Sequence, residues 1–172
     1  MGSKQCKTYY KITNEKENHN GFQYQDGLNI LQKEFDDDPK HFYGHGLYFM
    51  DIQNIFPYFS YGIYLREVTL PVSDPNFKMI KVENKYRANM IIFGKRHELY
   101  NVDTIKMLID RGMKIHPFID VALTWSAGFG YLEIVKYLVE LGANIHENDD
   151  KALTISAEKG HLDIIKYFTI SK

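Results

Sequence analysis

Residues 122–138 read ALTWSAGFGYLEIVKYL, and residues 152–168 read ALTISAEKGHLDIIKYF. The second stretch follows the first in register after thirty residues. A fixed period of this length is typical of a stacked array of repeats. The sequence therefore predicts two repeats of paired helices, at 122–146 and 152–170.

The same register extends backwards along the chain. Residues 101–112 (NVDTIKMLIDRG) align with residues 131–142 (YLEIVKYLVELG), and His116 falls on His146. We therefore expect a half repeat at 101–116 before the two full repeats. Because the two histidines occupy equivalent positions, we interpret both as turn residues that belong to the repeat.

Each repeat has the pattern of two packed helices. In the second helix, Leu132, Val135 and Leu138 recur at helical spacing, which predicts a buried stripe. Gly130 permits a tight turn between the helices, and Gly142 stands where a helix end favours a residue that tolerates positive φ.

This pattern resembles the ankyrin repeat, through residues 130–138 (GYLEIVKYL), 142–145 (GANI) and 160–166 (GHLDIIK). Two departures are visible: the period is thirty rather than the usual thirty-three or so, and Ala122-Leu-Thr-Trp125 replaces Thr-Pro-Leu-His. We therefore expect a shortened turn between the repeats. Short repeats of this style resemble those of giant amoebal viruses such as mimivirus. The resemblance implies a protein–protein interaction module.

The composition limits the function classes. The chain has 172 residues, 44% of them hydrophobic, and a formal net charge of −1, so it is long enough for a substantial core. Without a basic field, nucleic acid is not an expected partner. A single cysteine, Cys6, excludes an internal disulfide. No apolar run has transmembrane length and no signal peptide is visible, so we expect no membrane partner and a cytoplasmic location, in the host cell if the protein is viral.

The first hundred residues predict a compact mixed module rich in Tyr and Phe. Residues 86–93 fit a strand or a helix equally well, and Asp51 is a candidate N-cap for a short helix interrupted by Pro57. The sequence also predicts strands near residues 7–13, 47–49, 63–70 and 77–82.

Five segments of this module resemble the N-terminal region of mimivirus-type ankyrin proteins. They are residues 7–13 (KTYYKIT), 21–29 (GFQYQDGLN), 46–49 (GLYF), 66–71 (REVTLP) and 85–92 (KYRANMII). We therefore expect an α+β protein, in which an N-terminal module of residues 1–100 precedes an all-α ankyrin-like array of residues 101–172.

One segment allows an enzymatic alternative. Residues 44–51 (GHGLYFMD) resemble the strand that lies near bound NAD in ADP-ribosyltransferases. The resemblance implies that Tyr48 stacks on the nicotinamide, and Glu98 is the only candidate for the acidic residue. Tyr10-Lys11 stands where that family carries His-Gly on its first strand. We favour a divergent fold that is not an enzyme, without catalytic residues, cofactor or metal.

Other charged groups have structural explanations. His41 and His45 are separated by glycines that oppose a shared helical face, so they do not predict a metal site. Residues 36–38 (DDD) lack the spacing of a calcium loop and predict a solvated surface. Arg66 and Glu67 should point to opposite faces of one strand. One of these two charges should therefore lie at the surface and the other should be partly buried.

The candidate partner-binding residues lie at first-helix and turn positions of the array, where ankyrin stacks present a variable surface. Trp125 aligns with Ile155, so this position accepts different side chains, and aromatic residues are favoured at interfaces. The alternative is that Trp125 fills a seam beside the N-terminal module. The predicted recognition surface comprises Trp125, Phe129, Tyr131, Ile155, Lys159 and His161.

Two further predictions concern the ends of the sequence. Leu162, Ile165 and Phe168 are expected to pack inwards, which leaves Ile164, Tyr167 and Ile170 at least partly exposed. This predicts self-association through the last helix or a partner that completes the stack, and a frayed last turn is the alternative. A glycine at position 2 with Cys6 nearby hints at acylation, although the usual Ser or Thr is missing, so an ordinary start is the favoured interpretation.

Overall fold

The structure, a computed structural model, describes residues 7–170 and divides into two compact units. One unit comprises the chain up to Leu99 together with Arg111–Met113, and the other comprises Tyr100–Asp110 together with the chain from Lys114. The acylation hypothesis at Cys6 lies outside the described residues.

The N-terminal unit is built from antiparallel strands. A four-stranded sheet has the order β1-β6-β9-β4, a three-stranded sheet has the order β5-β8-β7, and β2 pairs with β3. The strands are β1 (Tyr9–Thr13), β2 (Asn18–His19), β3 (Phe22–Gln23), β4 (Gly27–Ile30), β5 (Leu47–Phe49), β6 (Tyr64–Thr69), β7 (Met79–Val82), β8 (Lys85–Ala88) and β9 (Met90–Glu98).

These strands confirm the four predicted ones, and the ambiguous segment 86–93 falls within β8 and β9. The short helix expected after Asp51 takes the form of two 3-10 helices, Ile52–Asn54 and Phe56–Tyr61, and Pro57, which lacks a backbone donor, lies at the start of the second. Asp51 does not cap them; its Oδ2 accepts a hydrogen bond from Tyr86 Oη at 2.8 Å.

Aromatic side chains fill the core of this unit. The ring of Tyr9 lies edge-on to Phe49 and Tyr86, with centroid distances of 5.1 and 5.3 Å, and Phe49 stacks on Tyr86 at 5.6 Å. Such pairs stabilise the core beyond the area they bury. Tyr24 stacks on Phe93 in the same core cluster.

Arg66 is buried on β6, with its guanidinium 5.2 Å from the centre of the Phe93 ring, while Glu67 is partly exposed. The neighbouring Leu65 is buried as well, so burial does not simply alternate along this strand. The guanidinium of Arg66 donates two hydrogen bonds of 2.6 Å to the carboxylate of Glu17. A bidentate pair of this kind satisfies both charges away from water.

The C-terminal unit is helical, with five α-helices among the residues that the structure describes. Val135 and Leu138 are buried as predicted, but Ile134 completes the buried stripe, and Leu132 is only half-buried. The helices are α1 (Val102–Asp110), α2 (Ile119–Phe129), α3 (Leu132–Glu140), α4 (Glu147–Glu158) and α5 (Leu162–Ile170).

The turns of the array have left-handed backbone where the sequence predicts it. Gly130 has φ +81° and Gly142 has φ +97°. The start of α4 is not α-helical, because residues 148–150 (NDD) have φ between 51° and 58°. Asn and Asp tolerate this conformation better than other non-glycine residues. This run lies where the thirty-residue period shortens the connection between repeats.

The predicted stripe of the last helix is right at Phe168 and Ile170 but wrong at Leu162 and Ile164. Ile164 and Phe168 are the buried residues of α5, whereas Leu162 is 65% exposed and Ile170 is 81% exposed. Ile164 and Phe168 are one helical turn apart and therefore share a face, which packs on the preceding helices. Over residues 7–170, no helix combines the length and apolar character needed to cross a bilayer.

Candidate protein-binding site

Four aromatic rings of the C-terminal unit form one cluster, which we call the aromatic cluster: Tyr100, Trp125, Phe129 and Tyr131. Tyr100 contacts Trp125 at a centroid distance of 4.7 Å and stacks on Tyr131 at 4.9 Å. Phe129 meets Trp125 edge-on at 4.9 Å and stacks on Tyr131 at 6.1 Å. Each ring therefore contacts at least two others.

The local sequence explains how the rings converge. Trp125 and Phe129 are four residues apart on α2 and so lie on one face. The left-handed turn at Gly130 then reverses the chain, and the backbone N–H of Tyr131 donates to the carbonyl of Ser126 at 2.9 Å. This turn returns Tyr131 to the face that carries Phe129.

The cluster combines buried and exposed surface. Phe129 is 57% exposed, while Trp125 and Tyr131 are half-buried. Burial, and then the neighbouring Tyr131, raise the pKa of Tyr100 well above the usual tyrosine range, and burial also raises the pKa of Tyr131. Both phenols stay neutral at physiological pH, so the surface offers apolar rings with hydroxyl groups.

Two other predicted residues pack between the repeats. The nearest carbon of Ile155 lies 3.0 Å from the position that a Cβ atom at Gly128 would occupy. Nε2 of His161 lies 3.1 Å from the carbonyl oxygen of Gly128. The His161 ring also lies 2.8 Å from the corresponding position at Gly130. Ile155 and His161 therefore pack against the end of α2, and Lys159 is exposed after α4.

The sequence-based prediction missed Tyr100. In the repeat alignment Tyr100 stands where Gly130 and Gly160 stand in the next two repeats. An aromatic residue at a glycine position of the repeat is the signal in the sequence that identifies it.

Comparisons with known proteins agree with this architecture. A family model described as ankyrin repeats, in three copies, matches residues 95–172. An uncharacterized protein of Acanthamoeba polyphaga mimivirus is 51% identical over 130 residues, which cover 74% of this chain and 94% of that protein. An ankyrin repeat protein of the same virus is 46% identical over 74% of this chain. The chain belongs to the mimivirus ankyrin repeat family.

Other members of the mimivirus ankyrin repeat family are longer. The alignment covers 64% of the ankyrin repeat protein just described, and 38% of another from the same virus that is 44% identical. No solved structure matches the chain. The matches to mimivirus ankyrin repeat proteins confirm the resemblance that the sequence indicates. Ankyrin repeats commonly mediate protein–protein interactions.

The enzymatic alternative for this ankyrin repeat protein centres on Tyr48, which lies on β5 and lines a cavity of the N-terminal unit. Lys85 Nζ lies 4.6 Å from the centre of its ring, and the Tyr48 hydroxyl donates to the carbonyl of Gly44 at 2.8 Å. Glu98 is exposed on β9 and does not line that cavity. The described residues that line this cavity therefore do not include the acidic residue that the ADP-ribosyltransferase-like alternative requires.

The glycines of the GHG motif are explained by Arg87 on β8. A side chain at Gly44 or Gly46 would begin 2.1 Å from the side chain of Arg87. Arg87 is fully buried and donates to the carbonyls of His41 and Asp38 at 2.7 and 2.9 Å. Its ion pair with Asp36, at 3.4 Å, corrects the prediction that residues 36–38 form only a solvated surface.

Proposed function

We propose that this mimivirus-type ankyrin protein is a non-catalytic interaction module that binds a host or viral protein through the aromatic cluster, in the cytoplasm of the host cell. The observation that carries the proposal is Phe129, an exposed ring supported by contacts with two other rings of the cluster.

Contact of this kind is typical of binding hot spots. Aromatic side chains are enriched at the centres of protein interfaces, where a rigid ring contributes area at a small cost in conformational entropy. Trp125 and Tyr131 are held in place by Tyr100, so a partner would meet a surface that is already ordered. Ile155 and His161 support this surface through α2, and Lys159 is proposed at its exposed edge.

The test is quantitative capture of proteins from amoebal cytosol by the full chain. Phe129→Ala is the decisive variant because it removes an exposed ring, and Trp125→Ala combined with Phe129→Ala extends it. Hot-spot truncations typically cost about 2 kcal/mol or more of binding free energy. The affinity for the specific partner should therefore fall roughly thirtyfold or more.

Val121→Ala is the matched control, since Val121 is an exposed apolar residue of the same helix and lies outside the cluster. Circular dichroism should be unchanged for the control and for Phe129→Ala. If Phe129→Ala and the double variant Trp125→Ala with Phe129→Ala both captured the same proteins as the parent chain, the aromatic cluster would not be the binding site.

A further inference from the structure

The N-terminal unit contains a cavity of about 920 Å³. Its wall includes β1 at Lys11 and β5 at Tyr48, together with the glycine-rich segment 43–46. Pockets that hold small organic ligands are commonly of about 300–1,000 Å³, so this one has room for a molecule of the size of a mononucleotide.

The charge of the cavity wall has one sign. No Asp or Glu lines it within the part of the chain that the structure describes. The basic residues that line it are Lys11, Lys33, Lys85, His19 and His45. A concave surface with one sign of charge and low-dielectric walls concentrates ions of the opposite sign.

Lys11 is the most unusual of these basic residues. It is 5% exposed, and its ammonium donates to the carbonyl of Tyr48 at 2.8 Å and lies 4.8 Å from the centre of the Tyr24 ring. No carboxylate pairs with it among residues 7–170. By contrast, the other buried cations, Arg66 and Arg87, each pair with a carboxylate.

Three of the basic groups that line the cavity have lowered pKa values. Burial, and then the charge of Lys85, lower the pKa of Lys11 to about 7. Burial also lowers the pKa of Lys85. Burial and the charge of Lys11 lower the pKa of His19 to about 4. A bound anion would relieve the repulsion and supply the missing counter-charge.

The remaining wall is aromatic. Tyr48 lies beneath the Lys85 ammonium, and Tyr24 lies beneath that of Lys11. Rings of this kind bind planar groups by stacking, with the lysines placed to hold an attached anion. The aromatic lining residues are Phe22, Tyr24, Tyr43, Tyr48, Tyr58 and Tyr61.

We propose that this cavity binds a small organic anion that carries a planar ring, with Lys11 and Lys85 on the anionic group and the tyrosines against the ring. The site lies within the N-terminal unit and is independent of the aromatic cluster of the repeats.

Isothermal titration calorimetry on the full chain tests the proposal with three probes: adenosine 5′-monophosphate, which has ring and anion, adenosine, which has the ring alone, and inorganic phosphate. The monophosphate should bind about tenfold or more tightly than either of the others, because a charge-assisted hydrogen bond and ring stacking each add to the affinity. Its affinity should fall as the pH rises through about 7, since a deprotonated Lys11 no longer attracts the anion.

Lys11→Met and Lys85→Gln should each weaken monophosphate binding about tenfold. Lys81→Gln is the matched control, because Lys81 is exposed on β7 and does not line the cavity. If Lys11→Met were to misfold, judged by circular dichroism, Lys85→Gln alone decides.

Three outcomes would overturn the proposal. The first is an absence of monophosphate binding at millimolar concentration. The second is equal affinity for adenosine and the monophosphate, which would remove the role of the anion. The third is unchanged binding in the correctly folded lysine variants.

Discussion

The two units of the molecule differ in what they bury. The buried polar residues of the helical unit are small and uncharged: Thr104, Ser126 and Ser156. Those of the strand-rich unit include four charged groups, namely Lys11, Glu17, Arg66 and Arg87. The repeats are therefore held by the packing of apolar side chains, whereas the N-terminal unit also depends on specific charge pairing.

This difference predicts different sensitivity to substitution. Packing between repeats tolerates changes of similar volume, because it depends on shape and apolar area. A buried ion pair depends on both partners, because removing one leaves the other charged and unpaired away from water. Four experiments test this contrast, beginning with the largest expected effect.

Arg66→Met should destabilise the protein most. It leaves the buried carboxylate of Glu17 without its bidentate partner, which typically costs about 3–5 kcal/mol. Urea unfolding, followed by circular dichroism, measures the loss. Lys136→Met, which breaks the exposed pair of Lys136 with Glu133 in the repeats, should leave the midpoint unchanged. Equal losses in the two variants would contradict the contrast between the units.

Lys11→Met should have the opposite sign. The pKa of Lys11 is about 7 in the folded state and 10.5 as its ordinary value, so the unfolded chain holds more protons between those pH values, and stability rises with pH across that window. Removing the lysine relieves roughly 5 kcal/mol below pH 7 and loses about 1 kcal/mol with the hydrogen bond to Tyr48.

We therefore expect Lys11→Met to be about 4 kcal/mol more stable than the parent chain at pH 6, with no remaining gain above pH 10.5. Urea unfolding at the two pH values measures this directly. A gain independent of pH would assign the effect to packing rather than to the buried charge.

Gly130→Ala and Gly160→Ala form a matched pair in the repeats. Both glycines have left-handed backbone, with φ +81° and +76°, but only at Gly130 would the new methyl group meet a ring, that of His161. Each substitution should lose about 1 kcal/mol through backbone strain, and Gly130→Ala about 1 kcal/mol more through displacement of His161 from Gly128. Equal losses in thermal unfolding would mean that the His161 contact contributes nothing.

The smallest effect concerns self-association. Because Ile164 is buried, the surface test of the last helix uses the exposed pair Leu162→Lys with Ile170→Lys. In sedimentation equilibrium the parent chain should show weak, concentration-dependent dimers that this variant lacks, since apolar area on α5 is then charged. A parent chain that stays monomeric at high concentration would remove the self-association hypothesis.

The sequence predicts the repeats better than the N-terminal unit, for a physical reason. Helix pairs are specified by contacts between residues close in sequence, so Val135 and Gly130 could be assigned from periodicity. Ile164 was assigned wrongly, because several registers of an apolar helix satisfy the same periodicity. The candidate binding residues Trp125 and Phe129 are one helical turn apart, and their proximity follows from spacing alone.

The cavity could not be predicted in this way. Lys11 and Lys85 come from strands more than seventy residues apart, and the local sequence gives no sign that they converge. Glu17 and Arg66 are 49 residues apart in the sequence, and their pairing depends on the strand order. Long-range pairing of this kind is determined by the whole sheet, whereas periodicity reports only local structure.

The way in which Arg87 holds segment 36–46 has an evolutionary consequence. Two of its hydrogen bonds go to backbone carbonyls, which every amino acid possesses, so the side chains of Asp38 and His41 can change without loss of those bonds. Gly44 and Gly46 cannot gain a side chain without displacing Arg87. Substitutions should therefore accumulate at exposed cavity positions such as Tyr43 and His45 while the path of the segment is retained. Related sequences could thus diverge in ligand preference on an unchanged scaffold.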